Sequence, residues 1–213
     1  MSILKFILSA KEVGLDCTFY PIFFESLVSR ARNAATAHFL ADKEATHLLF
    51  IDSDIIFEPE DVYRLIQANK EVIAGMYPKK YIAWDRLKND PDAEKVDFPI
   101  GGEIQVTEDN YIESNYLPTG FLMTKREAIQ KLITLHPELK YKNDIDGYIS
   151  AEDNFYNLFR VGINNGIYES EDWGFCSLWK ETGGQVLIHP DINLKHVGWH
   201  NYEGNLINSI FKK

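Results

Sequence analysis

Asp52 and Asp54 stand one residue apart at the end of the run His47-Leu48-Leu49-Phe50-Ile51-Asp52-Ser53-Asp54. The apolar part of that run is rich in β-formers, which predicts a strand covered on both faces. The two carboxylates then sit where the strand leaves its sheet, the place where open α/β sheets bind ligands. A carboxylate pair there suits a hard divalent cation that carries substrate phosphates. As a Lewis acid, such an ion would neutralise a departing diphosphate. A turn at a strand end, where Asp and Ser are common, is the plainer account of the same three residues.

Other residues carry the same double reading. His196, in Leu194-Lys195-His196-Val197-Gly198-Trp199-His200, is either a ligand for a Mn²⁺-class ion or a half-buried, hydrogen-bonded histidine. Gly198 would let backbone approach a phosphate closely. In Tyr168-Glu169-Ser170-Glu171-Asp172-Trp173-Gly174-Phe175, acids in the first turn of a helix follow from the dipole alone. The same carboxylates would also serve as a general base for an alcohol nucleophile. Trp173 and Phe175 either stack on a sugar or belong to the core. In Arg30-Ala31-Arg32-Asn33, arginine pairs with phosphate or lines a solvated face, and the latter suits Arg30. Lys79-Lys80 is a candidate phosphate or lid contact. Leu117-Pro118-Thr119-Gly120-Phe121 makes a turn, which would also present Thr119 to a sugar hydroxyl.

The elements that must position these residues are legible in outline. Residues 3–8 read as a first strand. Leu27, Ala31, Ala34, Ala35, His38 and Phe39 share one helical face within residues 24–42. The strand at 47–51 follows, then a helix opened by Glu58-Pro59-Glu60-Asp61, with proline early and acids in its first turn. Residues 72–77 form a third strand, closed by Pro78. The order β-α-β-α-β predicts a mostly parallel, helix-covered sheet. Residues 79–99 are polar and read as a long loop, of a length that is usually functional or mobile. Residues 101–116 read as a hairpin turning near Glu108-Asp109-Asn110. A short strand at 121–123, a helix over 125–135, a helix over 171–182 capped by Ser170, a strand at 186–188 and a terminal helix over 203–213 complete the expectation.

The chain of 213 residues is 45% hydrophobic, enough for one substantial core. Its net charge of -10 argues against non-specific nucleic-acid binding, which needs clustered cations. Cys17 and Cys176 are far apart and in no metal-like spacing, so reduced thiols in a cytoplasmic compartment are expected. The apolar start is too short for a membrane span and lacks a cleavage pattern. No transmembrane segment is expected, and the chain is compatible with one domain of a longer polypeptide.

Taken together, Arg32-Asn33, Leu49-Phe50-Ile51-Asp52-Ser53-Asp54, Thr119-Gly120, Glu171-Asp172 and His196-Val197-Gly198 resemble the pattern of GT-A fold, DXD-type glycosyltransferases. The resemblance spans nearly the whole chain and keeps the family's order. It extends to chlorella-virus glycosyltransferase domains of capsid-glycan synthesis, which would place the protein in a host cytoplasm. It implies a single GT-A, Rossmann-like α/β domain, with a nucleotide-binding half over residues 1–78 and an acceptor-binding half over 79–213. It implies a UDP-sugar donor carrying a hexose or a deoxyhexose such as rhamnose, Mn²⁺ or Mg²⁺, and a glycan or glycoprotein acceptor. By resemblance, Asp54 and His196 would bind metal, and Asp52 the metal or the ribose. Ser9, Arg32, Asn33, Ser53, Lys79 and Gly198 would border the nucleotide sugar. Thr119, Gly120 and Trp173 would face the acceptor, with Asp172 or Glu171 as catalytic carboxylate.

Three rival readings fit less well. Haloacid-dehalogenase-type phosphohydrolases resemble an Asp-x-Asp after the first strand with Thr or Val following. Here Ile55-Ile56 follows, after the second expected strand. Sugar-nucleotide pyrophosphorylases carry a Gly-rich basic loop that Ser9-Ala10-Lys11-Glu12 does not supply. A non-catalytic glycan- or nucleotide-binding module has no need of Asp-x-Asp on a parallel sheet.

Overall fold

The computed structural model describes residues 1–144 and 149–211. Its elements run α1 (Ser2–Glu12), α2 (Val28–Ala41), β1 (His47–Ile51), β2 (Ile55–Ile56), α3 (Pro59–Ala68), β3 (Val72–Met76) and α4 (Trp84–Asn89). Then come β4 (Gly101–Val106), β5 (Ile112–Tyr116), β6 (Phe121–Lys125), α5 (Arg126–Leu135), β7 (Gly162–Asn164) and β8 (Ile167–Glu169). The chain closes with α6 (Glu171–Glu181), β9 (Leu187–Asn193), β10 (Lys195–Val197), β11 (Asn201–Tyr202) and α7 (Leu206–Phe211). The fold is mixed α/β. None of the described helices is long and apolar enough to cross a membrane.

The main sheet has the order β1-β6-β3-β9-β5-β4. This corrects the expected mostly parallel sheet, because β3 and β9 are the one parallel pair of neighbours. The reason lies in β6, which enters between β1 and β3 and runs against both. Local β-α-β order cannot reveal a later strand that fills the gap. Strands β1, β3, β9 and β4 still share one direction, so β1 and β3 end at the same edge, where β6 begins.

Alternation assigns the two faces of the sheet. On β1, Leu48 and Phe50 pack with Phe39 and Leu40 of α2, while Leu49 and Ile51 pack with Val62 and Leu65 of α3. On β3, Val72, Ala74 and Met76 join the first face, and Ile73 and Tyr77 the second. The first face is covered by α2, α5, α6 and α7, the second by α1 and α3. Strands β3 and β6 are almost wholly buried.

The expected strand at 3–8 is helix α1. Short apolar runs do not distinguish the two by periodicity, and length decides. Here the helix continues through Ser9-Ala10-Lys11-Glu12. Ile3, Phe6 and Ala10 turn inward, and Leu4 and Leu8 remain exposed. The helix expected from residue 24 begins at Val28, because Phe24 sits at a φ of 60° that no helix accepts. The long loop contains α4, and β5 runs on to Tyr116. Helix α3 follows its sequence signals, with a reciprocal cap between Glu58 and Asp61 and Pro59 in the first turn. The terminal helix spans Leu206–Phe211, and residues 212 and 213 of that expectation lie outside the described residues. Cys17 is exposed, Cys176 is buried, and both are free thiols.

Gly75 marks a tight crossing in the sheet. The β3–β9 register slips between Ala74 and Met76, and a Cβ on Gly75 would lie 2.5 Å from Ile192 Cγ2 and 2.9 Å from Phe121 Cδ1. Gly75→Ala should cost about 1–3 kcal/mol through overpacking. A urea titration checks this: the midpoint should fall with the slope unchanged.

Candidate functional site

The common edge of β1, β3 and β6 is held by one backbone clamp. The Gly120 carbonyl accepts the Asp52 N–H at 2.9 Å, and the Gly120 N–H donates to the Tyr77 hydroxyl at 3.1 Å. A Cβ on Gly120 would come 2.5 Å from the Tyr77 hydroxyl oxygen and 2.7 Å from Asp52 Oδ2. Only glycine fits, because the carboxylate and the phenol both press on its α-carbon. Gly120 is thus a clamp rather than a contact for an acceptor. Thr119 beside it is 2% exposed, so its hydroxyl is not offered to a sugar as expected.

On the α2 side of this clamp lies a group of charges. Arg32 Nη2 donates to Asp52 Oδ1 at 2.5 Å. The Arg32 side chain is nearly buried, its guanidinium lies 5.2 Å from the Phe50 ring centroid, and its buried Nε has no hydrogen-bond partner among the described residues. Glu171 and Asp172 enter from the first turn of α6. The Ser170 hydroxyl donates to Asp172 Oδ1, and the Trp173 N–H donates to the same oxygen at 2.9 Å. Burial pushes the Glu171 carboxyl above its ordinary range, and the charges of Asp172 and Asp52 add to the rise, while Arg32 opposes it. Burial likewise raises the Tyr77 phenol, helped by Asp52 and Asp172. The phenol therefore stays protonated and neutral among these charges.

On the other side of Tyr77 lies a second group. Asp52-Ser53-Asp54 turns tightly, with the Ile55 N–H bonded to the Asp52 carbonyl at 3.1 Å and Ser53 exposed at the tip. Strand β2 then pairs with β10, which sets Ile55 opposite His196, and the Val197 N–H donates to the Asp54 carbonyl at 2.8 Å. His196 Nδ1 lies 2.9 Å from the Pro78 carbonyl oxygen. A carbonyl only accepts, so Nδ1 carries a proton and donates to it, which leaves Nε2 as the ring nitrogen turned toward Asp54. Nε2 is 3.4 Å from Asp54 Oδ2, and the imidazole meets the Tyr77 ring edge-on at 5.0 Å. Lys80 Nζ bonds to the same Asp54 oxygen at 2.6 Å. Burial of Asp54 works against ionisation, but the Lys80 bond and the His196 and Lys80 charges outweigh it and hold the carboxyl below its ordinary value.

The donor set fits a divalent ion in part. Oδ2 of Asp54 and Nε2 of His196 converge at a separation close to the ~3 Å between adjacent ligands of an octahedral ion with bonds of about 2.1 Å. The Nδ1–H bond to a backbone carbonyl fixes the ring as metal-binding histidines require. Among the described residues no three His, Cys, Asp or Glu side chains gather as a metal cage. Asp52, expected as a third ligand, is engaged by Arg32 instead. Substrate oxygens would have to complete the sphere, the usual arrangement for Mg²⁺ with phosphates.

Several expected residues lie elsewhere. Ser9 is on a helix, not at a strand end, and its hydroxyl accepts from Tyr63 of α3 at 2.7 Å. The Asn33 amide is spent internally: its carbonyl accepts the Phe159 N–H and its amide donates to Asn157, each at 3.0 Å. It fastens the 157–159 segment to α2 rather than facing a nucleotide. Lys79 is exposed and its backbone bonds to Asp97, so the lysine at the site is Lys80. Trp173, half-buried, stacks on Tyr116 with ring centroids 3.7 Å apart and planes within 5°. Gly198 lies under Lys80, where a Cβ would come 3.2 Å from Lys80 Cδ. The sequence reading missed Tyr77 and Pro78. Both directly follow the third strand, where ligands gather at strand ends.

No family model and no curated protein matches this chain. Among solved structures it is similar to A197 from STIV at 18% identity, over 92% of this chain and 79% of that one, with a TM-score of 0.49.

The raised Glu171 sets a testable pH dependence. Its folded value lies above its unfolded value, so the folded state binds more protons between the two, and stability falls as pH rises through that window. Glu171→Gln should therefore be more stable than the wild type at neutral pH. The gain should vanish below the ordinary glutamate range, as followed by denaturation at a series of pH values.

Proposed function

We propose that this protein is a metal-dependent glycosyltransferase of the GT-A type, taking a UDP-sugar as donor and a glycan hydroxyl as acceptor. The observation that carries the reading is the convergence of Asp54 Oδ2 and His196 Nε2 at the end of β1. A divalent ion would be held by Asp54 and His196 and would stabilise the departing nucleotide diphosphate when bound. Arg32 holds Asp52 at the clamp, so Asp52 is directed at the donor's ribose or sugar rather than at the ion.

Asp172 supplies the carboxylate for the acceptor. Both of its local hydrogen bonds reach Oδ1, which fixes the group and directs Oδ2 to the acceptor hydroxyl proton. Glu171, held high by burial and by its acidic neighbours, suits a neutral hydrogen-bond donor to a sugar hydroxyl better than a base. The Trp173–Tyr116 stack borders the same helix end and offers an aromatic edge to a sugar ring. A glycan acceptor and a hexose or deoxyhexose donor follow the family pattern of the sequence.

Calorimetry with UDP, with and without Mn²⁺, tests the proposal. UDP should bind only when the metal is present, and Asp54→Ala should abolish binding while the thermal midpoint changes little. Metal-independent UDP affinity, or undiminished affinity in the variant, would sink it. With a UDP-sugar and acceptor, Asp172→Asn should lower kcat by roughly 10²- to 10⁴-fold, the range of a positioned general base. Metal-dependent release of phosphate from simple phosphomonoesters would favour a phosphohydrolase instead.

A further inference from the structure

Lys80 bonds the Asp54 oxygen that His196 also approaches. Its ammonium lies 2.6 Å and His196 Nε2 3.4 Å from Asp54 Oδ2. An ammonium is a compact, hydrated point charge on a flexible four-carbon stem. It can neutralise the carboxylate as a metal ion would, and it can also leave. The surroundings suit both states. The side chain runs over Gly198, where the missing Cβ leaves the Lys80 stem its path, and it remains 38% exposed. The backbone on either side is pinned, by Lys79 N–H to the Asp97 carbonyl at 2.7 Å and Ala83 N–H to the Lys95 carbonyl at 2.9 Å. The stem is therefore anchored at a fixed point while its charged end is free to reorient.

We propose that Lys80 is a built-in counter-ion for Asp54, displaced by the divalent cation and then captured by the donor's diphosphate. A divalent ion and an ammonium on one carboxylate oxygen repel each other, so binding of the ion expels Lys80. The expelled ammonium stays within a side-chain length of the ion and meets the phosphates that complete the ion's coordination. Metal and nucleotide then bind cooperatively, because the metal alone must break the Lys80–Asp54 pair and the diphosphate offers Lys80 a new partner. The capture step rests on the donor reading proposed above; the displacement step does not.

The test uses the full chain with Mn²⁺ alone, then Mn²⁺ with UDP, for wild type, Lys80→Ala and Lys80→Arg. Lys80→Ala should bind Mn²⁺ alone about two- to five-fold more tightly, the size of one exposed ion pair removed. It should bind UDP in the presence of Mn²⁺ several-fold more weakly, and Lys80→Arg should restore much of that loss. Unchanged or weaker Mn²⁺ affinity in Lys80→Ala overturns the displacement step. Unchanged UDP affinity in the same variant overturns the capture step. If the wild type binds no UDP with Mn²⁺ while Lys80→Ala still tightens on Mn²⁺, the donor reading and the capture step fall and the counter-ion exchange stands. Absence of Mn²⁺ binding in all three proteins overturns both steps.

Discussion

The packing of Gly120 between Asp52 and Tyr77 is the constraint on which the rest of this edge depends. Two backbone bonds from one glycine tie the end of β1 and the end of β3 to the start of β6. No other residue fits, since a Cβ would sit inside contact distance of the Asp52 carboxylate and the Tyr77 hydroxyl together. The antiparallel insertion of β6, which overturned the expected sheet, is also what delivers Gly120 to this place. The topology and the site are one arrangement: the inserted β6 brings Gly120, which holds the backbone of Asp52 and the hydroxyl of Tyr77.

Tyr77 divides the charges that this clamp assembles. Its hydroxyl lies among Asp52, Arg32 and Asp172, and its ring edge meets His196. A neutral, mostly buried phenol separates the two groups without adding charge to either. Each group then has its own cation. Arg32 serves Asp52 and tempers Glu171, and it cannot leave, being buried against Phe50 and Asp52. Lys80 serves Asp54 from a position open to solvent. Arginine where the charge is permanent and lysine where it is exchangeable follows from their hydration and geometry.

The sequence disclosed those features whose cause is local. The strand ending in Asp52-Ser53-Asp54 was legible from a short apolar run, and the start of α3 from Glu58, Pro59 and Asp61. Asp54, His196 and Lys80 do meet, two of them named for chemistry and the third noted beside Lys79. What was hidden depends on distant partners. Residues 3–8 carry a pattern equally apt for strand or helix, and the helix that continues to Glu12 sets Ile3 and Phe6 in the cluster under α3. Asn33 was expected at the site only through the family resemblance of Arg32-Asn33. Its partners, Asn157 and Phe159, lie more than 120 residues away. Lys79 and Lys80 are equivalent in composition, and the backbone bonds at Lys79 and Ala83 determine which of them faces Asp54.

The balance of charge at this edge bears on why an anionic ligand would need a metal here. Asp52, Asp54, Glu171 and Asp172 face two cations, Arg32 and Lys80. With all four carboxylates ionised the edge is negative by two, and with Glu171 protonated it is negative by one. The whole chain adds to the repulsion with a net charge of -10. A diphosphate approaching such a surface is opposed at long range and again at contact. On the proposed reading, a single divalent ion on Asp54 and His196 would make the immediate site positive, and the ammonium it freed would add a second cation where the phosphates would arrive. The acidic composition that argues against nucleic acid is then compatible with a nucleotide ligand, provided that the cation is supplied from solution.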